Sequence, residues 1–396
     1  MHLVFLTCFF LYFYQCTALF HPVFEQLHIH RDRFVIPILS IAALSSILLF
    51  LQTRNKRRAI RELLHTVVAW VPWLIYLGFR WDPEDLYSSR KLFLMVITQF
   101  GSVLMICLAF YNDQERFTRY FYLCTVGMVT LFLVYFFVNH GRYDMYISGY
   151  EMRLTTENVN PIWLGRSFGI GALCLMVWGR FAYCMKIGLC VPFFVGIYLT
   201  GSRGPAISVF IMFGLHYLWT QSRYKNSAER IFLSCLFLIP CLFAAGLSFS
   251  DSFQEYFTRG KNQDINQASS GRYDALIVSW KELVSAPAFC VGLGKFGNPG
   301  KANISYKDKK DIKSDSMIIK AQADYPNNIV LEVLAELGLI GFILFVLLLR
   351  PGRWMFGLSN KFVFAFLLCL LFAMTSGDFY GNACMFIFCQ VAWLNR

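Results

Sequence analysis

The chain has 396 residues, 57% of them hydrophobic and only 15% charged, with a mean hydropathy of +0.50. Soluble domains carry about 25% charged residues, so a soluble enzyme is excluded and the length counts membrane spans of about 20 residues each. The net charge of +12 comes without a basic soluble module, which excludes nucleic acid as a partner; part of it sets topology, and the rest can attract an acidic or phosphorylated ligand.

The apolar runs predict about twelve spans, at roughly 2–20, 34–52, 60–79, 91–111, 119–138, 161–179, 183–201, 204–220, 231–249, 329–350, 361–376 and 380–394. The first, "MHLVFLTCFFLYFYQCTALF", has neither a basic n-region nor a small-residue cleavage site and reads as a retained helix. The expected organisation is therefore all-α and polytopic: residues 1–249 with nine spans, a large segment at 250–328, and residues 329–396 with three spans.

Orientation follows from Lys and Arg in the short loops. One set of alternate loops, including Arg54, Lys56, Arg57, Arg58 and Arg61, holds about sixteen; the opposite set, including Arg31, Arg80, Arg90, Lys91, Arg142 and Arg203, holds about half as many. Both termini are thus expected in the cytoplasm and segment 250–328 outside. Most of the thirteen cysteines fall inside predicted spans, where Cys acts as a small apolar residue, and only Cys290 lies in the outer segment. No CxxC or HExxH pattern occurs, so no bound metal or cofactor is expected.

Against this apolar background the polar residues near the outer face are the informative ones. "ENVNPIWLGR" places Asn160 before a span and Arg166 about a turn and a half inside it, where an arginine should face the bundle, either for function or paired with an outer carboxylate such as Glu157. "LTGSRGP" puts Arg203 in a tight turn between Gly201 and Gly204, with Pro205 in the first turn of the next helix. In the outer segment, Leu276, Val278, Trp280, Leu283 and Val284 share helical spacing that fits an amphipathic helix lying against the membrane. It begins near Arg272 and leads to "GLGKFG", a GxGxxG match with no strand–turn–helix frame and hence no dinucleotide site. The Lys/Asp-rich stretch at about 298–323 reads as a lid. "DYPNNIVLEVLAELG" then sets Glu332 and Glu336 four apart on one helix face, which a membrane tolerates when they are paired or functional. "TSGDFYGN" breaks the last hairpin and places Asp378 at the outer side. Three arginines, Arg166, Arg203 and Arg272, are thereby brought to one membrane face, a composition suited to a diphosphate because guanidinium forks bind phosphate oxygens in pairs.

"LTGSRGPAISVF", "SGRYDALIVSWKELVSAPAFCVGLGKFG" and "YPNNIVLEVLAELGLIGFILFVLLL" resemble, in this order, three motifs of the O-antigen ligase and polymerase superfamily, and "NPIWLGR" and "SGDFYGN" resemble its polymerase (Wzy-type) branch. The likeness spans about residues 157–382; the first five spans match in hydropathy alone. It implies a GT-C-like, metal-independent glycosyltransferase acting on an undecaprenyl-diphosphate-linked oligosaccharide at the periplasmic face of a bacterial inner membrane. It also implies contact with membrane lipids and a chain-length regulator protein as partner. On this resemblance Arg203 and Arg272 act on the diphosphate. Glu332 is the candidate general base, with Asp324 and Asp378 as alternates, and Arg166, Asn160, Tyr325, Asn327, Asn328 and Asp378 contact substrate. Ligases of the superfamily carry His where this chain has Asn327, which favours a polymerase over a ligase. A lipid-linked oligosaccharide flippase or transporter is the third reading, disfavoured because the polar residues gather at the outer face and not at the midplane.

Overall fold

In the computed structural model the described residues are 3, 6–10, 31–53, 55–111, 113–138, 146–148, 151–153, 161–221, 272–296, 328–350, 361–375 and 382–394. They form helices α1 (Arg31–Gln52), α2 (Lys56–Arg80), α3 (Leu86–Phe110, with a π-helical turn at Met95–Phe100), α4 (Gln114–Val138), α5 (Pro161–Trp178), α6 (Tyr183–Leu199) and α7 (Arg203–Gln221). These are followed by α8 (Arg272–Ser285), α9 (Ile329–Leu349), α10 (Lys361–Thr375) and α11 (Ala383–Leu394). One short antiparallel hairpin, β1 (Tyr146–Ser148) with β2 (Glu151–Arg153), joins the region between α4 and α5.

Each expected span from 34–52 to 204–220, and each of the last three, coincides with a helix. The expected span at 2–20 lies mostly, and that at 231–249 wholly, outside the described residues. Among the described residues, four helices are long and apolar enough to cross a membrane: Lys56–Arg80, Leu86–Phe110, Gln114–Val134 and Ile329–Leu349. Shorter apolar helices, among them Ile162–Trp178 and Ala383–Leu394, accompany them. The protein is thus built as a polytopic membrane protein.

Starts are set by side-chain caps: Asp85 Oδ1 accepts from Tyr87 N at 2.9 Å, and Asn328 Oδ1 from Val330 N at 2.9 Å. These satisfy amides that a helix leaves without partners. Large apolar side chains are exposed as well as buried. On α2, Val68 and Phe79 are 69% and 81% exposed, as expected of a face against lipid. α11, apolar all round, has every residue buried and so forms the bundle's centre. Its Phe388 packs edge-on against Phe121 of α4 at 5.2 Å.

One boundary differs from the sequence reading. Lys91 was expected at the end of a short outer loop, but α3 begins at Leu86 and buries Lys91 to 1% exposure. It therefore leaves the set of loop cations; its charge serves the interior.

Candidate functional site

The "GSRG" stretch turns between α6 and α7. Gly201 takes φ +62°, a left-handed conformation that glycine adopts without strain, and Ser202 N donates to Thr200 Oγ1 at 3.3 Å. A Cβ on Gly204 would lie 3.0 Å from Thr375 Oγ1 and 3.1 Å from its Cβ, so the turn presses directly on the last residue of α10. Arg203, the first residue of α7, is half-buried. No hydrogen bond or ion pair to its guanidinium occurs among the described residues.

The C-terminal turn of α10 is where three of the expected motifs meet. Its carbonyls have no partner within the helix, and side chains from elsewhere supply them. Arg166 Nη2 donates to Phe372 O at 2.6 Å, and Asn328 Nδ2 donates to Met374 O at 2.9 Å. Arg166 Nη1 reaches Asn382 Oδ1 at 3.3 Å, and its guanidinium lies 5.2 Å from the Trp163 ring centroid. The arginine faces the bundle, 6% exposed, where a positive charge also suits the negative end of the α10 dipole. Two of its contacts are thus a backbone and an amide oxygen; Glu157 lies outside the described residues.

Further along α9, the segment after α8 plugs a broken helix. α9 is interrupted at Gly338, whose φ of +67° and ψ of −168° are non-helical. The carbonyls freed below the break accept from the segment after α8: Val291 N to Ala335 O at 3.4 Å and Gly292 N to Glu336 O at 2.8 Å. Leu339 N in turn donates to Pro287 O at 2.9 Å, and Tyr76 Oη of α2 donates to Leu337 O. Irregular backbone persists in a membrane protein where other protein groups satisfy it, and here "APAFCVGLG" does so. Arg80 fastens the same segment, donating to Phe289 O at 2.7 Å and Cys290 O at 2.9 Å, while Lys295 Nζ pairs with Asp82 at 2.9 Å.

Glu332 and Glu336 share one cation. Lys91 Nζ is bonded to Glu332 Oε1 and lies 2.8 Å from both oxygens of Glu336, and Gly294 N donates to Glu336 Oε2 at 2.9 Å. All three charged residues are 1% exposed. Arg350, at the other end of α9, bonds to His65 O. The cluster lies nearer the start of α9, four and eight residues after the N-cap Asn328. Pairing, the alternative to a catalytic role for these glutamates, is what the geometry supports, with lysine as the cation.

α8 is present as expected, and Leu276, Ile277, Trp280 and Val284 are 37% to 66% exposed beside Lys281; of the apolar set expected on the outer face, Val278 instead packs inward against Phe296 and Ala335, and Leu283 is half-buried. Ser279 and Glu282 point inward, 2% and 6% exposed, and burial pushes the Glu282 carboxyl above its usual range. Arg272 is the first residue of α8. Asn160, Asp324, Tyr325, Asn327 and Asp378, and the expected lid at 298–323, lie outside the described residues.

The structure therefore brings Arg203, Arg166 and Asn328 to one end of α10, and sets Glu332 apart from them in a cluster with Lys91. The sequence places Lys91 and Arg80 only among the loop cations, and nothing in it singles out Asp82 or Gly338. Two glutamates at i and i+4 in an apolar helix already call for a buried cation, and "SSRKLFL" offers one, but the charge had been assigned to a loop.

Residues 188–346 match the family model described as O-antigen ligase. The match takes in most of α6, the GSRG turn, α7, α8 and most of α9, and leaves out Lys91, Arg166, α10 and α11. No curated protein matches the chain.

Proposed function

From the premise that the chain carries an O-antigen ligase-family domain at 188–346, as fits a member of the O-antigen ligase and polymerase superfamily, we propose that it is a polysaccharide polymerase. In this reading it joins undecaprenyl-diphosphate-linked oligosaccharide repeat units into O-antigen or a related surface glycan, at the periplasmic face of the inner membrane. The observation that carries the reading is Arg203: a half-buried guanidinium in a glycine turn, with no partner among the described residues.

In the transfer, an acceptor hydroxyl oxygen attacks the anomeric carbon of the donor sugar. The carbon–oxygen bond to the diphosphate breaks, and the lipid diphosphate leaves with the electron pair. Charge grows on the leaving phosphate oxygen, and Arg203, joined by Arg272, stabilises it by a bidentate contact. Losing one such preorganised donor typically costs about 100- to 1000-fold in rate. Arg166 is committed to the α10 carbonyl and Asn382, so its role is to set the floor beneath the turn. The acceptor proton needs a base. Glu332 is bonded to Lys91 and only 1% exposed, so it is not open to an acceptor hydroxyl, and Asp324 and Asp378 become the proposed bases.

Asn327 in place of a histidine favours a polymerase, because an amide takes no proton; the family description favours the ligase alternative. The surface glycan of a deletion strain decides. Single repeat units on the anchor support the polymerase, free lipid-linked polymer supports a ligase, and absence of any extracytoplasmic intermediate supports a flippase.

A further inference from the structure

We propose that Lys91 is a positioning residue for this transfer: its buried ammonium locks the segment after α8 to the first turns of α9, and so fixes the start of α9 relative to α8. The proposal rests on the polymerase reading for its catalytic consequence, but not for its structural one.

The argument begins with what one cation holds. Lys91 comes from α3, Glu332 and Glu336 from α9, and Gly294 from the outer segment, and all four meet within hydrogen-bond distance. Glu336 is bound twice by that segment, through its side chain to Gly294 N and through its carbonyl to Gly292 N at 2.8 Å. Four residues before Glu332 stands Asn328, the N-cap of α9, whose amide reaches Met374 O beside the GSRG turn. At the other end, the locked segment follows directly on α8, which begins at Arg272. The cation thus sits between two of the motif elements to which the transfer is assigned, without itself facing the turn that carries Arg203.

Removing it separates those elements for an electrostatic reason. Two carboxylates at adjacent turns repel, and burial deprives them of water. Without the ammonium they move apart or take up protons, and Glu336 loses the orientation in which it accepts from Gly294 N. The segment is also held by Arg80, Asp82 and Gly338, so the effect is local loosening and not loss of the fold.

The experiment uses the full-length protein in detergent or nanodiscs and measures amide hydrogen exchange by mass spectrometry. In Lys91→Met, peptides covering 286–296 should exchange at least about tenfold faster, with those of α11 unchanged. Transfer with a lipid-diphosphate-linked repeat unit should fall on the order of 100-fold, the usual consequence of misplacement by about an ångström. Lys91→Arg should recover protection and part of the rate. Unchanged exchange at 286–296, or a rise of equal size throughout the protein, would overturn the proposal. If Lys91→Met does not accumulate, the neutral triple variant Lys91→Met, Glu332→Gln, Glu336→Gln removes the unpaired charge. It should accumulate and, with no ammonium to orient the side chain at 336 though no repulsion remains, still show a local rise at 286–296; protection equal to wild type, or failure to accumulate, overturns the proposal as well. Wild-type protein that forms no polymer would count against the polymerase reading alone, because the exchange result stands independently.

Discussion

Replacing Gly338 by alanine should damage the protein more than any other glycine-to-alanine change in a membrane-spanning helix. Its φ of +67° with ψ of −168° lies in a region essentially restricted to glycine, and an alanine held there costs about 1–3 kcal/mol. The added Cβ would also lie 2.6 Å from Ala288 C and 2.7 Å from Phe289 N. These are backbone atoms, so no rotamer change relieves the contact, and forced displacement in a packed site costs roughly another 1–3 kcal/mol. The sum, about 2–6 kcal/mol, is a large part of the 5–15 kcal/mol typical of a folded protein. Displacing 287–292 also endangers the bonds Leu339 N to Pro287 O and Gly292 N to Glu336 O. Controls come from the same molecule: a Cβ on Gly127 or Gly188 meets nothing within 4 Å, and alanine in a helix interior is favoured over glycine by up to about 1 kcal/mol. Thermal unfolding in micelles, followed by tryptophan fluorescence, should therefore show Gly338→Ala melting well below wild type, with both controls at or slightly above it. If Gly338→Ala melts with the wild type, the broken helix and its plugging segment are wrongly described.

Arg166→Gln should lower the yield of folded protein, since it removes the donors to Phe372 O and Asn382, whereas Arg203→Ala should leave yield unchanged; size-exclusion profiles of the two compare them. Glu282 is predicted to make stability fall with rising pH. Its carboxyl titrates higher in the folded state than in the unfolded one, so the folded state holds the proton longer. Stability is fullest below the unfolded value of about 4.3 and falls as pH rises from there through the raised folded value. Glu282→Gln should flatten that slope in melting curves, and an identical slope in the variant would refute the assignment. A spin label replacing Trp280 should be more accessible to oxygen than to a water-soluble nickel complex when α8 rests on the membrane; the reverse order would place that face in water. A reporter fused near Lys310 should be active only outside the cytoplasm, and cytoplasmic activity would invert the topology.

The helices were legible because lipid demands nearly unbroken apolar runs, and ten of the expected spans coincide with them. The GSRG turn was legible too, since glycine on both sides of an arginine has few other uses at a helix junction. What the sequence hid was pairing across long separations. Lys91 and Glu332 are 241 residues apart, and nothing local in either stretch names the other. Arg166 illustrates a second limit: its inward direction follows from the cost of an arginine against lipid, but its partner is a main-chain carbonyl, which leaves no trace in residue types. The break at Gly338 was invisible because "AELGLIGF" reads equally well as continuous helix. α8 showed a third limit. Its spacing announced an amphipathic helix, but only the fold shows that Ser279 and Glu282 form the inward face.

The central claim is best tested by reconstituting the purified protein in liposomes with a lipid-diphosphate-linked repeat unit, and resolving the products on a gel. Wild type should produce a ladder of lengthening lipid-linked chains, Arg203→Ala none, and Arg203→Lys a faint one, because a point charge replaces a bidentate fork poorly. A ladder of normal intensity from Arg203→Ala, or wild-type product appearing only on an added core acceptor, would contradict the account.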